Sequence, residues 1–247
     1  MPSFTYREHS PMVELSPFVE CFWSVEASAV INTGVPPDGC VDIVFSPGFG
    51  LRVVGAMTTE QRFTLDAGAQ TVGVRFRPGM ARAILRISPA EFTDTFVEIQ
   101  DLWPQRGKEL LTQLGELQSA SHRIAALHQA VKLPEAVINP VERAIQTICL
   151  THGNVNLDDL ASQANLSPRQ FRRRCHEEAG LTPKHLCRIL RFRRARQLAR
   201  LSPKTNWAKI AAEAGYFDQA HLIRDFHEFT GRTPMSVLSN TRAATLA

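Results

Sequence analysis

The chain has 247 residues, of which 44% are hydrophobic and 21% are charged. This composition is typical of a globular protein and excludes a collagen-like or fully disordered chain. No segment approaches the roughly 20 apolar residues of a membrane-spanning helix, and the first residues lack the pattern of a secretory signal. Five cysteines without disulfide-framework spacing favour a reducing compartment. We therefore expect a cytoplasmic protein with no membrane partner.

The net charge of +4 is unevenly distributed along the chain. Residues 1–135 contain 11 basic and 15 acidic residues, a net charge of −4. Residues 136–247 contain 17 basic and 9 acidic residues, a net charge of +8. Pro134 and Pro140 interrupt the helical pattern between these halves. We predict two domains, 1–135 and 136–247, of which the second is suited to a polyanion such as double-stranded DNA.

Short apolar segments fill the first part of the N-terminal half. Clusters of Gly and Pro that are typical of turns separate them, which indicates a β-sandwich or barrel. The predicted strands are residues 18–25, 40–45, 51–57, 63–65 and 71–76. Helical patterns follow at residues 80–86, from Ser88, at 107–117 and at 121–131. The predicted N-terminal domain is therefore mixed α+β, with β-sandwich or barrel-like strands followed by helices.

The C-terminal half contains an internal repeat. The segment SPRQFRRRCHEEAGLTP (167–183) aligns with DQAHLIRDFHEFTGRTP (218–234), and six of the 17 positions are identical. Upstream, apolar or small residues also match, at an offset that is one residue shorter. Each copy reads as a short helix, a turn and a second helix, so we predict an all-α domain with helix-turn-helix units at about 157–179 and 207–230.

Capping residues mark the second helix of each predicted unit. Ser167 and Asp218 are suited to the N-cap, because their side-chain oxygens can accept bonds from the first free N–H groups. Pro168 fits the first helical position. Gly180 and Gly231 are suited to the left-handed position that ends a helix.

The outer faces of these second helices are basic or amide-bearing. Arg169, Arg172, Arg173 and His176 recur at helical spacing in the first copy. In the second copy the predicted outer face carries Ala220, Ile223, Arg224 and His227, with Gln219 and His221 near the helix start. Arg and Gln are the side chains that read guanine and adenine in the major groove. A solvated basic face is the ordinary alternative, but the duplication and the charge of this half favour DNA binding.

The segment between the copies, residues 185–200, predicts one long helix. Arginines at 188, 191, 193, 194, 196 and 200 can contact phosphates there, or remain solvated or paired.

This arrangement resembles the AraC/XylS family of bacterial transcription regulators. The motif AGYFDQAHLIRDFHEFTGRTP (214–234) carries the resemblance most specifically, which covers about residues 140–240. It implies seven helices with two helix-turn-helix units joined by a long central helix. The implied base-contacting positions are Arg169, Arg172 and Arg173 in the first unit, and Gln219, Ala220 and Arg224 in the second, with His221 beside them.

The N-terminal half is similar to an uncharacterised domain found in a subset of AraC-type regulators. PPDGCVDIVF (36–45), VGVRFRPGM (72–80) and TDTFVEIQDLW (93–103) carry this similarity. It implies small-molecule effector binding, homodimerisation, or both. Transcription activation and contact with RNA polymerase are further implications of the family. Phe18, Phe22, Trp23, Phe45 and Trp103 can line an apolar pocket, although core packing is the more ordinary role for each.

Catalytic, cofactor and metal sites find little support in the sequence. Only His9 precedes His122, so the strands cannot supply a histidine-rich metal site. No Gly-rich phosphate loop precedes a Lys, and the carboxylates form no paired motif. We expect no enzymatic activity, no cofactor and no metal. Two alternatives stay open: a DNA-repair or thiol-transfer protein that uses Cys40 or Cys21, and an architectural DNA binder of low specificity.

Overall fold

The computed structural model describes residues 4–134, 138–202 and 206–238. The N-terminal half is rich in strands, and the C-terminal half is helical, as predicted. The domain boundary predicted between residues 135 and 136 lies outside the described residues. No helix within these three segments is long and apolar enough to cross a bilayer.

Two antiparallel sheets are built from the described strands. The strands are β1 (Phe4–His9), β2 (Val19–Ala27), β3 (Ile31–Val35), β4 (Val41–Ser46), β5 (Gly50–Val54), β6 (Gln61–Leu65), β7 (Gln70–Phe76) and β8 (Phe96–Glu98). Six of them form one sheet in the order β1-β2-β7-β4-β5-β8, and β3 pairs with β6. The central strands are the most apolar, because their side chains are buried in the core.

Helices follow the strands within the N-terminal half. They are α1 (Ala81–Leu85), α2 (Ile99–Leu102), α3 (Pro104–Glu116) and α4 (Ala120–Ala130), and a 3-10 turn spans Pro89–Glu91. The helix α3 packs against β5, and α4 packs against β2 and β7. Phe22 and Phe45 are fully buried in the resulting core, and Trp23 is nearly so. These three aromatic residues therefore have the ordinary packing role.

The C-terminal half consists of helices. These are α5 (Pro140–Leu150), α6 (Leu157–Gln163), α7 (Pro168–Ala179), α8 (Pro183–Leu201), α9 (Trp207–Glu213) and α10 (Gln219–Thr230), and residues 234–238 are also helical. The long helix α8 joins the two predicted helix-turn-helix units. Phe192 of α8 packs its ring against Phe226 and Phe229 of α10, with centroids 4.8 and 5.2 Å apart. The second unit is thereby fixed to the central helix.

Two turn glycines of the N-terminal half pack directly against C-terminal helices. Gly39 and Gly79 both have positive φ, +83° and +79°. A Cβ atom at Gly39 would lie 2.7 Å from Leu186 Cδ1, and one at Gly79 would lie 2.9 Å from Ile145. Both positions require glycine for the backbone conformation and for the close approach. The two halves therefore share one continuous packed core.

Candidate nucleic-acid interface

The first helix-turn-helix unit consists of α6, a tight turn and α7. Asn165 has a φ of +55° in the turn, a conformation that Asn tolerates better than most residues. Ser167 begins α7 with a capping box, in which its hydroxyl and the Gln170 side chain satisfy each other's backbone N–H groups. Gly180 ends the helix in the left-handed region at φ 72°. The capping residues predicted for this unit are confirmed.

The second unit repeats this geometry with different residues. Gly215, at φ +82°, occupies the turn position that corresponds to Asn165. The carboxylate of Asp218 caps α10 by accepting a 2.7 Å bond from the backbone N–H of His221. Gly231 ends the helix at φ 66°. The two units are therefore structural repeats as well as sequence repeats.

The inward faces of both second helices are buried as the spacing predicts. In α7, Phe171 and Cys175 are 2% and 1% exposed. In α10, Leu222, Phe226 and Phe229 are fully buried. Cys175 in the first unit occupies the position that Phe226 occupies in the second. Since a thiol is smaller than an aromatic ring, the first unit has the smaller core.

The outward face of α7 is a row of free basic side chains. Arg169, Arg172 and Arg173 are all exposed. Arg173 is 68% exposed, and its Nε lies 3.8 Å from the Glu177 carboxylate, which is a loose contact that water screens. His176 is only half-buried and lies one turn further along the helix. The three arginines form one continuous surface in the N-terminal half of α7, and His176 extends this face into the last turn of the helix.

The outward face of α10 differs from the predicted one at one position. Gln219, Ala220 and Arg224 are exposed, as predicted. Ile223 is instead partly buried and packs against the core. His221 is half-buried, with its ring edge-on to Tyr216 at 5.2 Å. The second unit therefore offers fewer free hydrogen-bonding groups than the first.

An exposed aromatic residue beside this face was not identified from the sequence. Phe217 is 94% exposed and immediately precedes the N-cap of α10. An apolar ring exposed to water at the start of this helix is a candidate contact for a thymine methyl group or a sugar. The sequence predicts only a turn for residues 215–217, and the exposure of the Phe217 ring follows from the folded structure.

Two of the arginines on the central helix form ion pairs within the protein. Arg188 bonds to Asp225, with Nη2 2.7 Å from Oδ1, and also to Glu228. The hydrogen bonds from Arg188 hold the pKa of Glu228 below its ordinary value. Arg193 bonds to Glu20 of the N-terminal half at 2.9 Å. Because both side chains form ion pairs within the protein, they stabilise the fold and are not free to contact phosphates.

The N-terminal half contacts the C-terminal end of α7. Ser88 Oγ donates a 2.8 Å hydrogen bond to the backbone oxygen of Glu177, and Thr93 Oγ1 donates one of the same length to Gly180. Arg82 of α1 pairs with Glu178 at 3.2 Å. The last carbonyl groups of a helix have no partner within it, so these bonds cap α7 from another domain.

The same half also contacts the C-terminal end of α10. The backbone N–H of Glu60 donates a 2.7 Å bond to the backbone oxygen of Phe229, and the Glu60 carboxylate pairs with Arg232. Both second helices are therefore held at their C-terminal ends by one domain, while their N-terminal ends stay exposed.

Two family models match this chain. Residues 160–240 match a family described as "Helix-turn-helix domain", and residues 7–98 match a "Domain of unknown function (DUF6597)". The first match covers most of both helix-turn-helix units. The second covers the sheet through β8.

One curated relative is the HTH-type transcriptional activator RhaS of Shigella boydii. It is 34% identical over 83 residues, which are 34% of this chain and 30% of the relative. The matched segment thus spans less than a third of the relative's length.

Three solved structures have some similarity to this chain. The DNA-binding domain of AdpA in complex with a target DNA is 23% identical, with 42% of this chain and 95% of that chain covered and a TM-score of 0.39. The C-terminal domain of AraT from Geobacillus stearothermophilus is 26% identical, with coverages of 42% and 88% and a TM-score of 0.38. ToxT from Vibrio cholerae is 10% identical, with coverages of 96% and 98% and a TM-score of 0.43.

The family assignment rests on the helical half and the N-terminal half together. The duplicated unit with its central helix matches the helix-turn-helix model, and the sheet of the N-terminal half matches a separate model. Residues 160–240 therefore form a helix-turn-helix domain of the AraC type, which the chain joins to an N-terminal domain of the DUF6597 type.

Proposed function

We propose that this chain is a sequence-specific DNA-binding transcriptional regulator. The observation that carries the proposal is the pair of helix-turn-helix units held to one central helix, each with the N-terminal part of its second helix exposed. In such units this part of the helix reads the major groove. The proposed contacts are Arg169, Arg172, Arg173 and His176 in the first unit, and Gln219, Ala220, His221 and Arg224 in the second.

Selection from randomised double-stranded DNA with the purified full chain tests the proposal. Two reading helices in one chain are expected to enter successive major grooves, so the selected site should contain two boxes about 10 base pairs apart. The affinity should also fall with salt, with a slope of about −0.9 per phosphate contacted. Selected DNA that is no more tightly bound than random DNA would support an architectural binder instead.

A matched pair of variants connects the selection to the proposed surface. Arg172→Ala removes an exposed arginine from the outward face of α7, whereas Arg143→Ala removes one from the exposed side of α5. We expect the first variant to weaken binding to the selected site about tenfold or more and the second to leave it within twofold. Equal effects of both would show that α7 is not the reading helix.

The thiol-based alternative is opposed by the surroundings of both cysteines. Cys40 is 3% exposed, and burial together with Asp38 and Glu20 raises the pKa of its thiol well above the ordinary value. Burial also raises the pKa of Cys21 to about 12. A nucleophilic cysteine needs the reverse, an accessible thiol with a lowered pKa. Slow iodoacetamide labelling of both thiols in the folded chain is the expected result.

Effector binding through the N-terminal half is part of the proposal. Activation of transcription, contact with RNA polymerase and homodimerisation remain predictions of the family relationship. Light scattering of the purified chain, alone and with selected DNA, measures the last of these directly.

A further inference from the structure

A cleft of about 880 Å³ lies between the two halves of the molecule. The N-terminal half contributes Glu20, Arg77 and the prolines beside them. The C-terminal half contributes the end of α5, His152 and one face of α8. A cleft of this volume is within the range of small-molecule sites.

The cleft has a marked excess of positive charge. Its walls contain five arginines and two glutamates, and four of the arginines come from α8. On that helix Arg193, Arg196 and Arg200 follow one another at three- and four-residue spacing, so they lie along one face. Within the described residues only Arg193 of these three has a carboxylate partner, Glu20.

The arginines of the cleft repel one another. Burial, and after it the charge of Arg200, lowers the pKa of Arg196 to about 10. Burial, followed by Arg194 and Arg193, lowers the pKa of His152, which disfavours its charged form as well. Glu60 and Asp38 offset this repulsion only in part at Arg196, and Arg196 and Arg200 form no ion pair with a described residue. Such cations in a partly enclosed space are unfavourable until an anion enters.

We propose that this cleft binds a small organic anion with two or more negative charges, of the polycarboxylate or phosphorylated class. Guanidinium groups are suited to both, since each presents paired N–H donors that match carboxylate and phosphate oxygens. Arg77 on one side and Arg196 and Arg200 on the other would hold the anion between the domains.

The alternative use of these arginines, contact with DNA phosphates, is less consistent with their position. No residue of α7 or α10 lines the cleft in the described part of the chain. The cleft is instead next to the Arg193–Glu20 pair that ties the halves together. A regulatory role for this anion rests on the proposed function. The binding of the anion to the cleft does not depend on that function.

Calorimetric titration of the full chain with citrate and with pyrophosphate, at constant ionic strength and without DNA, tests the proposal. We expect saturable binding of at least one of them and none of glucose. The anion that binds more tightly shows whether the cleft favours a polycarboxylate or a phosphorylated ligand. Melting temperature should rise with the concentration of the bound anion, because it binds the folded state alone. Absence of saturable binding for both anions would overturn the proposal.

The double variant Arg77→Gln/Arg200→Gln removes one exposed arginine from each side of the cleft. The matched control Arg62→Gln/Arg86→Gln removes the same charge from exposed positions outside it. We expect the cleft variant to weaken anion binding at least tenfold and the control to stay within twofold. Equal weakening in both variants would overturn the proposal, since it would indicate a general effect of charge.

Binding of random-sequence DNA in anion-free buffer separates the two uses of these arginines. We expect the cleft variant and the control to bind it equally. A salt slope reduced by about two contacts in the cleft variant alone would place Arg77 and Arg200 on the DNA backbone and overturn the proposal. If the full chain binds citrate but selects no DNA site, the anion site stands and the proposed function fails.

Discussion

The hydroxyl of Thr93 donates a hydrogen bond of 2.8 Å to the backbone oxygen of Gly180, the residue that ends α7. Thr93 belongs to the N-terminal half and Gly180 to the proposed reading unit, 87 residues away in sequence. The bond therefore joins the domain of unknown function to the helix that presents Arg169, Arg172 and Arg173.

Replacement of Thr93 by Val should weaken this junction without changing the shape of the side chain. We expect a loss of about 1–2 kcal/mol in the free energy of unfolding, because the carbonyl of Gly180 loses its donor in a partly buried place. Urea denaturation measures it. Thr112→Val is the control, since Thr112 bonds only within the exposed side of α3. A Thr93 variant as stable as this control would show that the bond contributes nothing.

The two repeat-equivalent arginines are expected to differ in role. Arg173 has Arg169 and Arg172 beside it, so Arg173→Ala should lose discrimination at one base pair, costing about 1–3 kcal/mol. Arg224 lies next to Ala220, so Arg224→Ala should weaken all sequences evenly and reduce the salt slope by about one contact. Both side chains are exposed, and melting temperatures should stay unchanged. Selection on randomised sites measures the difference, and the reverse pattern would exchange the two roles.

The Arg188–Asp225 pair should be essential for the arrangement of the two units. Asp225 is 1% exposed, so Arg188→Met leaves a carboxylate buried without its cation. We expect a loss of about 3–5 kcal/mol in the free energy of unfolding. The double variant Arg188→Met/Asp225→Leu removes both charges and should recover much of it. If the double variant is as unstable as the single one, packing and not charge explains the loss.

The Glu20–Arg193 pair should make the interdomain contact sensitive to acid. Burial alone would raise the pKa of Glu20, but the charge and hydrogen bond of Arg193 hold it below its ordinary value of 4.5. A lowered pKa in the folded state means that the stabilisation is present above pH 4.5 and is lost as the pH falls through the folded value.

The stability difference between the wild type and Glu20→Gln should therefore be largest near pH 7 and shrink below pH 4.5. Thermal unfolding across this range measures it. Glu14→Gln, at an exposed position, is the control and should show no such trend. A difference that does not depend on pH would mean that Arg193 makes no electrostatic contribution through Glu20.

A fragment of residues 136–247 should fold and bind DNA, but with a lower melting temperature than the full chain. The helices that the structure describes in this fragment pack against one another, yet Ile145 and Leu186 lose the cover of Gly79 and Gly39. Circular dichroism and DNA titration measure both properties. An unfolded fragment would show that the two halves form one folding unit.

Local features of this fold could be predicted from the sequence, and contacts between the halves could not. Apolar strands and capping residues have short-range signals, so the five strands and the caps of α7 and α10 were found. The sequence does not predict three of the described strands. Most side chains of β1 are exposed and polar, β3 contains Gly34 of a Gly/Pro segment that predicts a turn, and β8 has only three residues. The sequence predicts a turn at Gly39 but does not predict its contact with Leu186.

The cleft between the halves could not be predicted from the sequence for the same reason, because it depends on contacts between distant residues. Arg193 and Glu20 are 173 residues apart, and no spacing rule connects them. The sequence predicts that the arginines of α8 contact phosphates, remain solvated or are paired. The N-terminal wall that forms a cleft with them is a property of tertiary packing. The inward turn of Ile223 likewise depends on the neighbouring core, not on the helical period alone.

The N-terminal half holds the C-terminal ends of both proposed reading helices by hydrogen bonds to Gly180 and to Phe229. Helices fixed to a common support cannot adjust independently to the rotation of the duplex. Each base pair inserted between two contacted boxes turns the second box by about 34–36° around the DNA axis. We therefore expect the affinity to depend on the rotation of one box relative to the other around the DNA axis. A spacer altered by one base pair should weaken binding even when both boxes keep every base.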